Sequence, residues 1–387
     1  MHTTLRGLAS CLTLSLYLST ATAADKNTDI VSTTDKYPLP NQGHVAAHDP
    51  NILHQNNTYY LFKGGVRIPY YKSPSLSGPW EDVGTVLDGI SEVEKGNRRH
   101  PWAPDVIFWN ARFYCFYSIS QAGERNSSIG LASSDAIEVA GGNSSWTDHG
   151  ALVNTGTGPL TGIYPYNVSN AIDPAFFADP ADGRPYLQYG SYWDGIFQLA
   201  LNDNLTVENP RSPSVDHLVY LPDQADKPAE GSLVSYREPY YYAWFSFGQC
   251  CQFDQLGFPP KGDEYSIRVG RSESVHGPFV DRNNTDLLNG GGSIVYGSNH
   301  GEVYAPGGLG ILYGNGNDSD VLYYHYHNTS IGFAQNDAQL GWNELDYVDG
   351  WPVPRGAKSL GATLPSTSSL NLLALLCTCR PRRYPYL

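Results

Sequence analysis

One short pattern opens five segments of this chain, and few folds can use it five times. Asp173-Pro174 is followed by an apolar run over 175–178, a turn over 179–183 and an alternating strand over 184–190. Asp49-Pro50 likewise precedes Asn51-Ile52-Leu53, a turn over 54–58 and Tyr59-Tyr60-Leu61-Phe62. Pro104-Asp105 leads into Val106-Ile107, a turn at Asn110-Ala111 and a strand over 113–117. Glu230-Gly231 opens a fourth copy with strands over 232–234 and 240–245, and residues 308–313 and 321–326 form a looser fifth. Several short strands per unit, repeated along the chain, predict radially arranged sheets: an all-β, five-bladed β-propeller.

The blades are expected at about 44–86, 100–153, 169–201, 228–281 and 290–348, the last closing the ring by pairing a late strand with an early one. Proline fixes its own φ and pushes the preceding residue toward extended backbone, so Asp49 and Asp173 are expected extended at strand entrances. No apolar stripe of helical period interrupts the pattern.

A chain of 387 residues has room for one such domain, assigned to 24–354. Ahead of it, Arg6, an apolar run over 8–18 and Ala21-Thr22-Ala23 read as a signal peptide over 1–23, which makes the protein secreted. Acceptor triplets for N-glycosylation at Asn56, Asn126, Asn143, Asn167, Asn204, Asn283, Asn317 and Asn328 agree with export. After Pro354 the pattern stops, and 355–387 is expected to be a disordered tail whose apolar run over 370–376 is too short to span a membrane.

The net charge of −14 excludes nucleic acid and anionic membrane as partners, while a neutral glycan remains compatible. The six cysteines, Cys11 among them in the leader, are too few for a disulfide framework. Adjacent Cys250 and Cys251 are read as two reduced buried thiols rather than a vicinal disulfide.

Chemistry enters with the acids. Asp49, Asp173 and Glu230 lead their blades from what the repeat makes equivalent positions, so a propeller brings them together at its axis. Hydrolysis of a glycosidic bond needs one carboxylate to act on water and one protonated carboxyl to donate to the leaving oxygen. A third carboxylate raises the acid's pKa by repulsion. Asp105 and Asp179 are read as strand-entry residues only, and His300 and His327 as surface or loop residues.

The ordered set AHDPNI, HPWAPDV, SIGLASS, SNAIDP with YGSYWDGI, AEGS, FSFGQCC, YSIRVGRS with GPFVD, and LYYHYH resembles glycoside hydrolase family 43, and within it the fungal endo-1,5-α-L-arabinanases. The resemblance covers about 45–354 and implies an inverting hydrolase of arabinan with no organic cofactor, and nothing in the sequence suggests more than a monomer. It makes Asp49 the general base, Glu230 the general acid and Asp173 the residue that tunes and orients the acid. Trp102 is suited to stack on an apolar sugar face, and Asn170, Ser191, Tyr192 and Trp193 match cleft-lining positions of the family, Trp193 also suiting packing between blades. His325 matches a histidine beside an axial Ca²⁺ or other cation held largely by water. Two stretches depart from the family pattern, 121–125 and Glu302. Exo-acting arabinofuranosidases, β-xylosidases and a non-catalytic glycan-binding propeller are the competing readings.

Overall fold

Paired turn residues with positive φ set the hairpins. Asn56-Asn57 (φ 50° and 60°) and Asn110-Ala111 (φ 47° and 63°) turn the chain as two-residue loops whose twist matches the strands they join. The computed structural model describes residues 45–138, 145–299, 302–314 and 319–355. The signal peptide, the tail beyond Arg355, Asn143, Asn317 and His300 lie outside them.

Twenty strands form five antiparallel four-stranded sheets, each in sequence order. Blade one holds β1 (Asn51–Gln55), β2 (Thr58–Phe62), β3 (Pro69–Ser73) and β4 (Glu81–Thr85). Blade two holds β5 (Trp102–Trp109), β6 (Arg112–Ile119), β7 (Ser128–Ser134) and β8 (Thr147–Asn154). Blade three holds β9 (Ala175–Ala178), β10 (Pro185–Tyr189), β11 (Ile196–Ala200) and β12 (Val215–Val219). Blade four holds β13 (Ala229–Arg237), β14 (Tyr240–Phe247), β15 (Ser266–Ser272) and β16 (Ser293–Tyr296). Blade five holds β17 (Val303–Leu312), β18 (Val321–Asn328), β19 (Ala338–Val348) and β20 (Trp351–Pro354). Among the described residues the only α-helix is one turn, Phe253–Leu256.

Both faces of the middle strands are buried, as in β7, β10 and β11, where every residue is inaccessible. Their side chains fill five apolar seams, one between each pair of neighbouring blades. Tyr242, Trp244 and Tyr324 fill the seam between blades four and five. Ile52, Leu61 and Leu340 join blade five to blade one and close the ring. Each fully buried Leu, Ile or Phe contributes roughly 1.5–3 kcal/mol.

Several expectations change. Among the described residues the ring closes without a shared strand; only Ala46 bridges Gln339, with the Ala47 N–H donating to Ala338 O at 2.7 Å, so packing holds the seam. Blade four runs past 281 to Tyr296, because β16 is short and separated from β15 by a long connection. Cys250 and Cys251 are joined by a disulfide, not reduced. His327 is fully buried in β18, because the loop side of that strand is roofed by Phe253 and Phe333. Asn328 is also buried, its Oδ1 held by the Ser330 N–H, which removes it from the surface that a glycan needs.

The entrances themselves differ most from the expectation. Asp49 and Asp173 are left-handed, not extended (φ 48° and 56°), and so are Ala103 (40°), Gly231 (55°) and Gly308 (55°). Asp49 and Asp173 lie just ahead of the innermost strand of their blade, whereas Ala103, Gly231 and Gly308 lie within theirs. Where the strand already pairs upstream, the register slips there, between Trp102 and Asp105 and between Glu230 and Leu233. A bulge of this kind bends the strand and re-aims a side chain. Asp tolerates the left-handed region better than most residues, which lets it occupy a position that glycine takes in blades four and five. Glu230 therefore precedes the position equivalent to Asp49 and Asp173; Gly231 holds it.

Candidate active site

The five entrances meet around the axis, and hydrogen bonds from side chains link each to the next. Between blades five and one, the Asp49 N–H donates to His325 Nδ1 at 3.1 Å. Between blades two and three, the Asp173 N–H donates to Ser118 Oγ at 2.9 Å. Between three and four, Asp173 Oδ2 accepts from the Gly231 N–H at 3.0 Å, and between four and five the Gly308 N–H donates to Ser246 Oγ at 3.0 Å. A side chain at Gly308 would not fit, since its Cβ would fall 2.5 Å from Asp49 Oδ1 and 2.6 Å from His325 Nδ1.

Asp49 sits against two imidazoles. His48 Nδ1 is 3.1 Å from Oδ2, His325 Nδ1 is 3.4 Å from Oδ1, and the two rings stack with centroids 4.3 Å apart. Burial pushes the Asp49 carboxyl up, but the His48 charge and the two histidine contacts outweigh it and hold the group well below the usual carboxylate range. Burial alone would lower His48; Asp49 reverses this and raises it. The wholly buried His325 stays neutral, pushed down to about 4 by burial and by His48.

Asp173 and Glu230 shift the other way. Burial, then the charges of Glu230 and Asp49, raise Asp173 well above its ordinary value, against the pull of the Gly231 N–H. Burial raises Glu230 too, opposed by hydroxyl donors from Ser191 on Oε2 (2.7 Å) and Tyr265 on Oε1 (2.9 Å), with Asp49 adding to the rise. Both carboxyls thus resist ionisation more than isolated ones do.

A cleft of about 1040 Å³ opens above these groups. Asp49, Asp173 and Glu230 line it, and so do Trp102, Asn170, Ser191, Tyr192 and Trp193. Trp193 thus faces the cleft rather than a seam. Asn170 Oδ1 is buried and unpaired at the wall, a carbonyl with spare accepting capacity. Gln121 and Glu124 of the divergent 121–125 stretch line the cleft as well, whereas Glu302 is exposed and outside it. Below, a cavity of about 120 Å³ runs along the inner strands of all five blades, lined by Asp49, Asp105, Asp173, Gly231 and Gly308 among others.

His325 stands behind Asp49, outside the cleft lining. His48, Asp49 and His325 bring ligand atoms within 4.8 Å of one another. Because His325 Nδ1 accepts from the Asp49 N–H, the neutral ring carries its hydrogen on Nε2, which is buried without a protein partner and can donate to a water. The ring would thus meet a cation through water, and one carboxylate would leave most of a calcium shell to water.

Reading residue by residue missed His48, Tyr265, Ser118 and the Cys250–Cys251 disulfide, which lines the cleft. His48 had a signal in its adjacency to Asp49. Tyr265 had none, lying 35 positions from the Glu230 carboxylate it contacts.

Residues 43–352 match the model of the glycosyl hydrolases family 43. The probable arabinan endo-1,5-alpha-L-arabinosidase D of Emericella nidulans is 64% identical, covering 97% of this chain and 98% of that protein. Arabinan endo-1,5-alpha-L-arabinosidase B of the same organism is 42% identical over 82% of this chain and 85% of its own. Among solved structures, Cellvibrio cellulosa alpha-L-arabinanase complexed with arabinohexaose superposes with a TM-score of 0.67 at 26% identity, covering 80% of this chain and 95% of that one. An exo-1,5-alpha-L-arabinanase from a bovine ruminal metagenomic library also gives 0.67, at 25% identity, covering 84% and 99%.

Proposed function

The chain belongs to glycosyl hydrolases family 43, and from that premise we propose how it cleaves internal α-1,5 links of L-arabinan. The endo-acting activity follows from 64% identity over nearly the full length of a relative so named. Structural likeness alone does not separate endo from exo action, since solved structures named as exo-arabinanase and as endo-arabinanase both superpose on this chain.

One observation carries the assignment of roles: three carboxyls share a cleft floor with opposite proton affinities. Asp49, held ionised by His48, is the general base that takes a proton from the attacking water. Glu230 shares a retained proton with Asp173 and is the general acid, donating to the oxygen of the departing arabinan. The new bond forms from water oxygen to the anomeric carbon on the face opposite the leaving group, so configuration inverts. Asp173 maintains the proton on the pair by its charge and, through the Gly231 N–H, fixes the backbone that carries Glu230. Trp102 and Trp193 offer apolar faces to sugar rings, while Asn170, Ser191 and Tyr192 offer polar atoms.

His325 would hold an axial cation through a water that accepts from its Nε2–H. Such an ion supplies positive charge that keeps Asp49 ionised; no step passes through it. Export is supported by the leader over 1–23 and by exposed acceptor triplets at Asn56, Asn167, Asn204 and Asn283.

Product analysis tests the reading. Linear arabinan treated with the enzyme gives oligosaccharides early, and Glu230→Gln reduces their rate by about 10²-fold to 10⁴-fold. Arabinose alone from the first time points, or hydrolysis of unsubstituted xylan, replaces endo-arabinanase by an exo-acting reading. Full activity in Glu230→Gln removes it as the acid.

A further inference from the structure

Asp105 lines the axial cavity but not the cleft, so it does not reach substrate. Its carboxylate nonetheless ties three blades together. Oδ1 accepts from Asn51 Nδ2 on β1 at 2.7 Å, and Oδ2 accepts from the Phe176 N–H on β9 at 2.6 Å. Asn51 answers with its own Oδ1, which accepts from the Val106 N–H on β5 at 3.0 Å. Among the described residues no backbone ladder joins these three sheets, so their spacing at the axis depends on contacts of this kind.

The attachment points are close to the chemistry. Asn51 lies two residues after Asp49, Phe176 three after Asp173, and a proline of fixed φ follows each acid. Displacement of β1 or β9 at Asp105 is therefore carried by a stiff link to the base or to the orienting acid. We propose that Asp105 is a positioning residue that sets the separation of Asp49 and Asp173 by clamping Asn51 and Phe176 across the axis. The inference rests on the hydrolase reading above. Burial pushes the Asp105 carboxyl up to about 7, a cost that the Phe176 N–H partly offsets.

The three hydrogen bonds define a sharp test. In Asp105→Asn, Asn51 and residue 105 turn amide groups toward each other, and one of the three bonds is lost whichever way either amide flips. Combining Asn51→Asp with Asp105→Asn restores all three: the residue 105 oxygen accepts from Phe176, its NH₂ donates to residue 51, and the free oxygen of residue 51 accepts from Val106. Wild-type turnover of arabinan is measured first. Asp105→Asn is then expected to lower kcat about 10-fold to 100-fold with KM within about 2-fold, and the exchange to recover most of the loss. Unchanged kcat in the single variant, or a folded exchange variant no faster than it, overturns the proposal. If Asp105→Asn does not fold, Asn51→Asp alone, which opposes two carboxyls, takes its place against the exchange with the same two outcomes. Crystal structures of the single and exchange variants report the Asp49 and Asp173 positions independently of turnover: a shift in the single variant that the exchange reverses supports the clamp, and no shift overturns it. Absence of arabinan cleavage by the wild type would count against the hydrolase reading and leave that positional readout intact.

Discussion

The entrances of blades one and three are built alike and hold their protons oppositely. Each places an aspartate before a proline, in left-handed backbone, at the head of the inner strand, with a hydrogen bond on its N–H. Yet Asp49 is driven well below the usual carboxylate range and Asp173 well above it. Burial pushes both up; only Asp49 has an imidazolium against it, while Asp173 faces Glu230 and a single backbone N–H. Placement comes from the motif, and charge comes from what other blades bring to it. A site that needs a base and a retained proton within one cleft can thus be made from one repeated element.

Asp49→Asn should have the largest effect, removing the ionised member and lowering kcat by about 10²-fold to 10⁴-fold while KM on arabinan changes little. Steady-state kinetics check this, and activity within a few-fold of wild type would mean that blade one does not supply the base.

Asp173→Asn should lower kcat less, about 10-fold to 100-fold, and it should move the alkaline limb of kcat/KM. The acid must be protonated; without the Asp173 charge its pKa falls, so activity is lost at a lower pH than in the wild type. An alkaline limb that stays in place would show that Asp173 orients Glu230 without tuning it.

His48→Gln has the smallest expected effect at the plateau, a few-fold, but it tests the comparison most directly. Asp49 must be ionised, and the substitution removes the charge that outweighs its burial. Its pKa rises toward that of Asp173 and the acid limb moves to higher pH. An unmoved acid limb would assign the depression of Asp49 to some other group.

Legibility followed the range of the interactions. The strand pattern and the five entrances were readable because alternation and turn residues act within a few positions: Asn56-Asn57 and Asn110-Ala111 specify their hairpins locally. The candidate residues of the cleft were readable as well, because the motifs fix which side chains stand at each entrance. Readings failed where a residue's setting depends on distant chain. Asp105 passes for a strand-entry residue until Asn51 and Phe176 are placed beside it. His327 passes for a loop residue until Phe253 and Phe333 cover it. The left-handed form of Asp49 and Asp173 runs against local proline sterics, and it persists because the surrounding ring holds it.

By itself, then, the sequence determined the all-β repeat, the number of blades, the inward placement of three acids and the kinship, since each is written in short windows. Tertiary structure decided which acid is pushed toward ionisation, how the described strands of blades five and one meet, and that Gly308 leaves space for Asp49 and His325 to meet. Those outcomes depend on electrostatics and packing between residues as far apart as Asp49 and His325, 276 positions along the chain, and no local pattern encodes a dielectric environment or a neighbour's charge.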